Sequence, residues 1–405
     1  MTSHSGLAAL AHGAALSPFT QLRRLLGASL PGGEPFFDLT VGEPREAMPP
    51  FLIERLIEAA ADYAKYPPMR GTAELRSAIA EWVARRYGAA AALDPEREIL
   101  PLNGSREGLF LAALPAAGRK KVKGAPAVLM CNPYYSAYIG GALAVDAEPV
   151  FLNATEATGH LPDLEAVASD KALLDRTVAL YLCSPANPQG AVAGSAYIAR
   201  ALQLARTHDF MLFFDECYSE IYSGAPPPGA LEVAAKTPER FRSLVVFNSL
   251  SKRSNLPGLR SGFCAGDAAF LETFAEIRNM VGPQVPGPAQ HASAAAWRDE
   301  AHVVANRAAY AAKYKVCDEV LAGRYGYRRP AGGFFLWLDV SNFGGGSDAA
   351  LTLWKRGGVK VLPGAFLAQP GRDGTNPGTD FVRLALVHDA ATVREALERF
   401  VVVLA

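Results

Sequence analysis

The chain of 405 residues reads as an α/β protein, with a mainly parallel central sheet in a large domain and a smaller α+β domain beside it. Three observations predict this. Short runs that are apolar throughout recur along the chain, each stopping abruptly at polar or turn residues. Amphipathic stretches separate them. Beyond Gly282 the order changes to a long helical stretch, two strand-like runs and a closing helix.

Ala127–Met130 ends at Cys131-Asn132-Pro133, and Val178–Leu182 ends at Ser184-Pro185-Ala186-Asn187-Pro188. Phe210–Phe214 ends at Asp215-Glu216, and Leu244–Phe247 ends at Asn248-Ser249. Unbroken apolarity over so few residues is that of a parallel strand covered by helices on both faces. Between two of these runs, Ala196–Thr207 places Ile198, Leu202 and Ala205 on one helical face. Ligands of such sheets lie beyond the carboxyl ends of the strands, and the polar residues collect there. The proline-rich stretch 283–288 breaks the chain. A helix over about 289–323 follows, then strands at Gly333–Val340 and Val382–Val387 and a helix at Ala391–Leu404. The expected division is a large domain over 45–285 and a small one built from 1–44 with 286–405. Gly344-Gly345-Gly346-Ser347 lacks the Lys-Ser/Thr of a phosphate loop and reads as a flexible loop.

Composition narrows the function. Forty Lys+Arg balance forty Asp+Glu, so the chain has no excess of positive charge for a nucleic-acid backbone. No run approaches the ~20 apolar residues of a membrane-spanning helix. Gly6–Leu16 is mildly apolar but follows no Lys or Arg, unlike a secretory signal. A cytoplasmic enzyme acting on small molecules is the expectation, with neither nucleic acid nor membrane as partner. The five cysteines form no C-x-x-C pair and read as small buried hydrophobes of a reducing compartment. Among seven histidines, His291 and His302 are too far apart for one helical face, and no H-E-x-x-H occurs, so no metal site is expected.

The chemistry concentrates in Asn248–Gly262. A strand delivers Ser249, Ser251 and Lys252, and a Pro257-Gly258 turn brings Arg260 eight residues after the lysine. An amine beside hydroxyls and a guanidinium suits a cofactor with an aldehyde and a phosphate: the amine forms a Schiff base, the others hold the phosphate. Asp215, at the end of an apolar run, needs a cation partner, and the pyridinium nitrogen of pyridoxal phosphate is one. A helix N-cap is the plainer role for an Asp in that place. Tyr218 could bond the ring hydroxyl. Gly104-Ser105-Arg106, opening a helix, offers backbone amides to a phosphate. Tyr134-Tyr135 could supply an aromatic plate.

These landmarks occur in one order: Gly42-Glu43-Pro44, Tyr66 with Gly71, Gly104-Ser105-Arg106, Tyr135, Asn187-Pro188-x-Gly190, Asp215-x-x-Tyr218, Ser249-x-x-Lys252, Arg260 and Arg383. In that order they resemble the fold-type I pyridoxal-phosphate aminotransferases of class I/II. Within that family, the run from Ser249 to Phe263 is most similar to succinyldiaminopimelate transaminases. The resemblance implies a ping-pong exchange between glutamate/2-oxoglutarate and N-succinyl-L,L-2,6-diaminopimelate, in lysine and diaminopimelate biosynthesis. It implies that Lys252 carries the internal aldimine and then acts as general base. Asp215 would pair with the pyridinium, Asn187 and Tyr218 with the ring oxygen, and Tyr135 would stack on the ring. Gly104, Ser105, Arg106, Ser249 and Arg260 would hold the phosphate, with Tyr66 reaching over from a second subunit of a homodimer. Arg383, helped by Gly42 and Asn187, would clamp the substrate α-carboxylate. One departure stands out: 282–287 holds no arginine for a distal carboxylate, which argues against simple aspartate specificity. Arg45 is a candidate for a far carboxylate. Other amino donors (aspartate, alanine, aromatic), a β-lyase, or a non-catalytic cofactor-binding regulator are the alternatives.

Overall fold

A computed structural model describes residues 17–282 and 284–405; Gly6–Leu16 and Pro283 lie outside them. The strands are β1 (Phe37–Asp38), β2 (Ile99–Leu102), β3 (Ala127–Asn132), β4 (Glu148–Asn153), β5 (Thr177–Cys183) and β6 (Met211–Asp215). They continue with β7 (Leu244–Ser249), β8 (Gly262–Gly266), β9 (Phe335–Asp339), β10 (Val359–Lys360), β11 (Leu362–Pro363) and β12 (Phe381–Ala385). Seven form the main sheet in the order β2-β8-β7-β6-β5-β3-β4. β7, β6, β5, β3 and β4 pair in parallel, whereas β8 runs antiparallel to both of its neighbours. The four expected runs are β3, β5, β6 and β7.

β2, β4 and β8 were not among the expected strands, and each has a reason to hide. β2 contains Pro101, which has no backbone N–H to give, and it is tolerated because β2 is a sheet edge. β4 is the other edge and is only partly buried, so its residues are mixed. β8 begins and ends in glycine.

Beside the main sheet, β11-β12-β9 form an antiparallel sheet packed on the helices Gly345–Gly357 and Ala390–Val403, with Leu338, Leu353, Leu384 and Phe400 in its core. β1 pairs in parallel with β10, which ties the N-terminal segment to this smaller layer. The expected helix over about 289–323 is two helices, Gly287–Arg298 and Ala301–Leu321. Asp299 between them is extended, and its carbonyl accepts from Arg253 Nη2. Gly344–Ser347 is no loop either, because Gly345 starts a helix. A Cβ on Gly346 would meet Phe381 O at 2.2 Å, so the glycines permit a helix start pressed against β12.

Candidate active site

The carboxyl ends of β5, β6 and β7 open into a cleft of about 870 Å³, closed from the other side by Gly42, Phe335, Leu367 and Arg383. Asp215 is the last residue of β6 and is buried. Its Oδ2 accepts from Tyr138 Oη at 2.7 Å and its Oδ1 from the backbone N of Cys217 at 3.1 Å. It therefore caps a turn rather than a helix. Burial pushes its pKa up, and the bonds from Cys217 and Tyr138 oppose this.

β7 ends at Ser249, whose Oγ accepts from Ser251 N at 3.1 Å and so caps the short helix Leu250–Arg253. That helix presents Lys252, whose Nζ donates to Gly42 O and lies 5.4 Å from the centre of the Phe334 ring. Burial pushes the amine down to about 8. Gly104, at φ 83°, precedes the helix Ser105–Leu111, and a Cβ there would meet Arg260 Nη2 at 2.2 Å. Ser105 Oγ lies 3.1 Å from Cys217 Sγ, and Arg260 Nη1 donates to Pro257 O at 2.8 Å. Arg106 Nε donates to Tyr135 Oη, and its guanidinium stands 5.3 Å from that ring.

On the opposite wall Arg383, in β12, is 5% exposed. Its Nη1 donates to Asn187 Oδ1 at 3.2 Å and its Nη2 to Thr40 O at 2.7 Å, while its Nε has no partner. Phe335 packs against its face at 4.4 Å. Burial lowers the guanidinium to about 10. Asn187 Nδ2 also donates to Tyr218 Oη at 3.3 Å.

One cleft thus gathers Gly42, Ser105, Arg106, Tyr135, Asn187, Asp215, Tyr218, Ser249, Lys252, Arg260 and Arg383, with Gly104 at its edge. Tyr66 is not among its lining and is 99% exposed. Arg45 does not line it either; its Nη1 meets His388 Nδ1 at 3.1 Å. Tyr138 is the main residue that sequence reasoning missed. It follows Tyr135, the extended residue before the helix Ser136–Ala144, by three positions, and the two rings meet edge-on at 5.7 Å; this cluster of tyrosines was the available signal. Cys217, Cys131 and Cys183 also line the cleft, and all five cysteines are free and buried. Burial raises the thiols of these three, so they are poor nucleophiles. Among the described residues no cluster of His, Cys, Asp and Glu could hold a metal, and no helix is long and apolar enough to cross a membrane.

A buried amine near pH 8, a buried acid at a strand end and an unpaired buried guanidinium now stand in one cleft. The sequence pattern described as aminotransferase class I and II matches residues 34–400. The chain belongs to that family. An LL-diaminopimelate aminotransferase of Desulforudis audaxviator is 30% identical to this aminotransferase, over 94% of this chain and 93% of the relative. The 4-dedimethylamino-4-oxo-anhydrotetracycline transaminase OxyQ of Streptomyces rimosus is 32% identical, over 89% and 92%. A crystal structure of an aminotransferase from Neisseria meningitidis superposes with a TM-score of 0.89 at 37% identity, covering 96% of this chain and 98% of that one.

Class I and II aminotransferases use pyridoxal phosphate, and the residues here fit it. Asp215 is a buried acid without a cation, as a pyridine N–H requires. The Gly104–Ser105 helix start sits against Arg260, a cationic cradle for a phosphate. Lys252 supplies an amine within the same cleft.

Proposed function

We propose that this aminotransferase moves an amino group between glutamate/2-oxoglutarate and an amino diacid of the diaminopimelate class, working as a homodimer. The observation that carries this reading is Arg383: a buried guanidinium facing the cleft, with Nε unpartnered and no carboxylate beside it. A planar carboxylate can take two of its N–H groups at once, and every substrate of such an exchange has one on its α-carbon.

Bound pyridoxal phosphate supplies the electron sink that lets an α-proton leave. The chain does the rest. Asp215 would hold the pyridine N–H, and Tyr138, which donates to its Oδ2, orients the carboxyl from behind. Gly104, Ser105, Arg106, Ser249 and Arg260 would hold the phosphate, Tyr135 would stack on the ring, and Asn187 with Tyr218 would hold the ring oxygen. Lys252 takes the proton from the substrate α-carbon and returns it, a task suited to an amine near 8. Arg383, with Gly42 and Asn187, fixes the α-carboxylate so that the α C–H bond faces Lys252.

Two features support a long diacid. Phe19, Val41 and Leu367 give the cleft an apolar wall for a methylene chain. Arg106, whose side chain meets only Tyr135 among the described contacts, can receive a remote carboxylate while its backbone serves the phosphate. The run from Ser249 to Phe263 favours N-succinyl-L,L-2,6-diaminopimelate; the relatives named LL-diaminopimelate aminotransferase favour the free amino acid. Both have the remote carboxylate. The test compares kcat/KM for both compounds, aspartate, alanine and phenylalanine, with 2-oxoglutarate as acceptor. One of the diaminopimelates should lead. If aspartate or phenylalanine exceeds both by about tenfold, a pocket-level preference, the substrate reading falls and the aminotransferase stands.

The shared site is a reading of Tyr66, which is 99% exposed in the single chain and outside its own cleft, as a residue that a partner subunit would receive. Tyr66→Phe and Lys252→Ala proteins, each inactive or weak alone, should regain activity when mixed, because one site of the heterodimer is intact. No recovery after verified exchange of subunits would mean that each chain builds its site alone.

A further inference from the structure

Behind the cleft, Ser254, His302 and Asp299 stand in line. Ser254 Oγ lies 2.8 Å from His302 Nε2, and His302 Nδ1 bonds Asp299 Oδ1. In hydrolases these three groups make a nucleophile, its base and the acid that orients the base. Here Ser254 is 0% exposed, so no acyl group can reach it. The chain of bonds has a direction nonetheless. Arg253 Nη1 donates to Ser254 Oγ at 3.3 Å, which leaves the hydroxyl proton for His302 Nε2 and the ring N–H for Asp299. Burial lowers the pKa of His302, which keeps the ring neutral and able to accept.

This line ends on the helix that carries Lys252. Leu250–Arg253 is a single turn, and one turn of helix has no stability of its own. Ser249 caps its start. At its end Ser254 N donates to Leu250 O at 3.0 Å, and Arg253 Nη2 reaches Glu300 Oε1 at 2.7 Å in the break between the two long helices. We propose that His302 is a positioning residue: through Ser254 it fixes the end of this one-turn helix, and so holds the Lys252 amine beside Gly42 O and over the Phe334 ring. The proposal rests on Lys252 as the reacting amine.

Two substitutions cut the line at different places. His302→Asn leaves an amide near the Nδ1 position, keeping Asp299 and releasing Ser254. His302→Gln reaches Ser254 and releases Asp299. The pKa of the Lys252 amine is read in the apoenzyme from the pH dependence of its acetylation, followed by peptide mass mapping. In the holoenzyme, kcat and KM for glutamate are measured. A loosened helix lets water reach the amine, so His302→Asn should raise its pKa from about 8 to about 9. It should lower kcat about tenfold with little change in KM, a loss expected of a misplaced general base. His302→Gln should stay within about threefold of wild type, because the Ser254 contact remains. A folded Asn variant with wild-type amine pKa and kcat, or equal losses in the two variants, overturns the proposal. Where His302→Asn does not fold, Ser254→Ala removes one hydroxyl and carries the same expectation and the same refutation. Failure of the aminotransferase reading looks different: wild-type protein would show no turnover, while the apoenzyme pKa difference would persist.

Discussion

Arg253 and Arg383 are both buried, yet they sit in regions built on opposite principles. At the junction of the two long helices, Arg253 has a carboxylate partner, Glu300, at 2.7 Å, which it shares with Arg85. Across the cleft, Arg383 meets a side-chain amide oxygen, a backbone carbonyl and a phenyl ring, all neutral. The other two buried arginines among the described residues follow Arg253: Arg76 pairs with Glu96 at 2.5 Å and Arg278 with Glu107 at 2.7 Å. Burying a charge without a counter-charge is costly, and it persists where a ligand brings the missing charge. The structural region completes its ion pairs internally. The cleft leaves them open, for Lys252 and Asp215 likewise bond only uncharged groups. Among the four buried arginines, the one without a carboxylate is therefore the one that faces the cleft.

Substitutions can break this contrast, and the largest effect is expected at Lys252. Lys252→Ala should abolish the pH-sensitive visible absorption of the bound cofactor and lower turnover by about 10⁴-fold or more, since among the described residues no other lysine lines the cleft. A variant that turns over near the wild-type rate would refute the assignment. Asp215→Asn keeps the shape and removes the charge. Turnover should fall by about 10²-fold or more, in line with the loss of a charge-assisted bond, and equal activity with the cofactor equally bound would reduce Asp215 to a turn cap.

Arg383→Lys keeps the charge but gives up the two-point geometry, so kcat/KM for glutamate should fall by about 10²-fold, mostly through KM. Its structural counterpart, Arg76→Lys, should instead lower the unfolding free energy by about 1–2 kcal/mol and leave KM unchanged. If both substitutions acted on stability alone, the contrast between the two regions would be void.

The remaining effect is a pH dependence of stability. In the apoenzyme Lys252 has a folded pKa of about 8 against 10.5 for an unperturbed lysine, so between these values the unfolded chain binds more protons. Stability should therefore rise from about pH 8 towards 10.5 relative to a Lys252→Met variant. Identical pH profiles for the two proteins would show that the amine is not held buried.

The apolar runs at β3, β5, β6 and β7 and the polar residues at their ends were legible from local sequence, because a strand covered on both faces has no room for polar residues until it leaves the sheet. The ordered landmarks from Gly42 to Arg383 were legible in the same way, and so was the family. What local sequence could not decide was anything set by distant partners. Asp215 and Glu216 are adjacent acids at one strand end, and nothing local tells them apart. The fold turns Asp215 towards Tyr138 and the cleft, and Glu216 towards Tyr87 and the backbone N of Ala230, where burial pushes it up to about 7. The helical pattern across 289–323 likewise contains no local stop. Arg253, a long way back in the chain, occupies the gap at Asp299 and Glu300. Strand and helix propensity follow from neighbours in sequence, which the chain itself specifies. Which buried charge is paired, and which is left open for a ligand, depends on side chains tens to hundreds of residues apart, and only the packed structure brings those together.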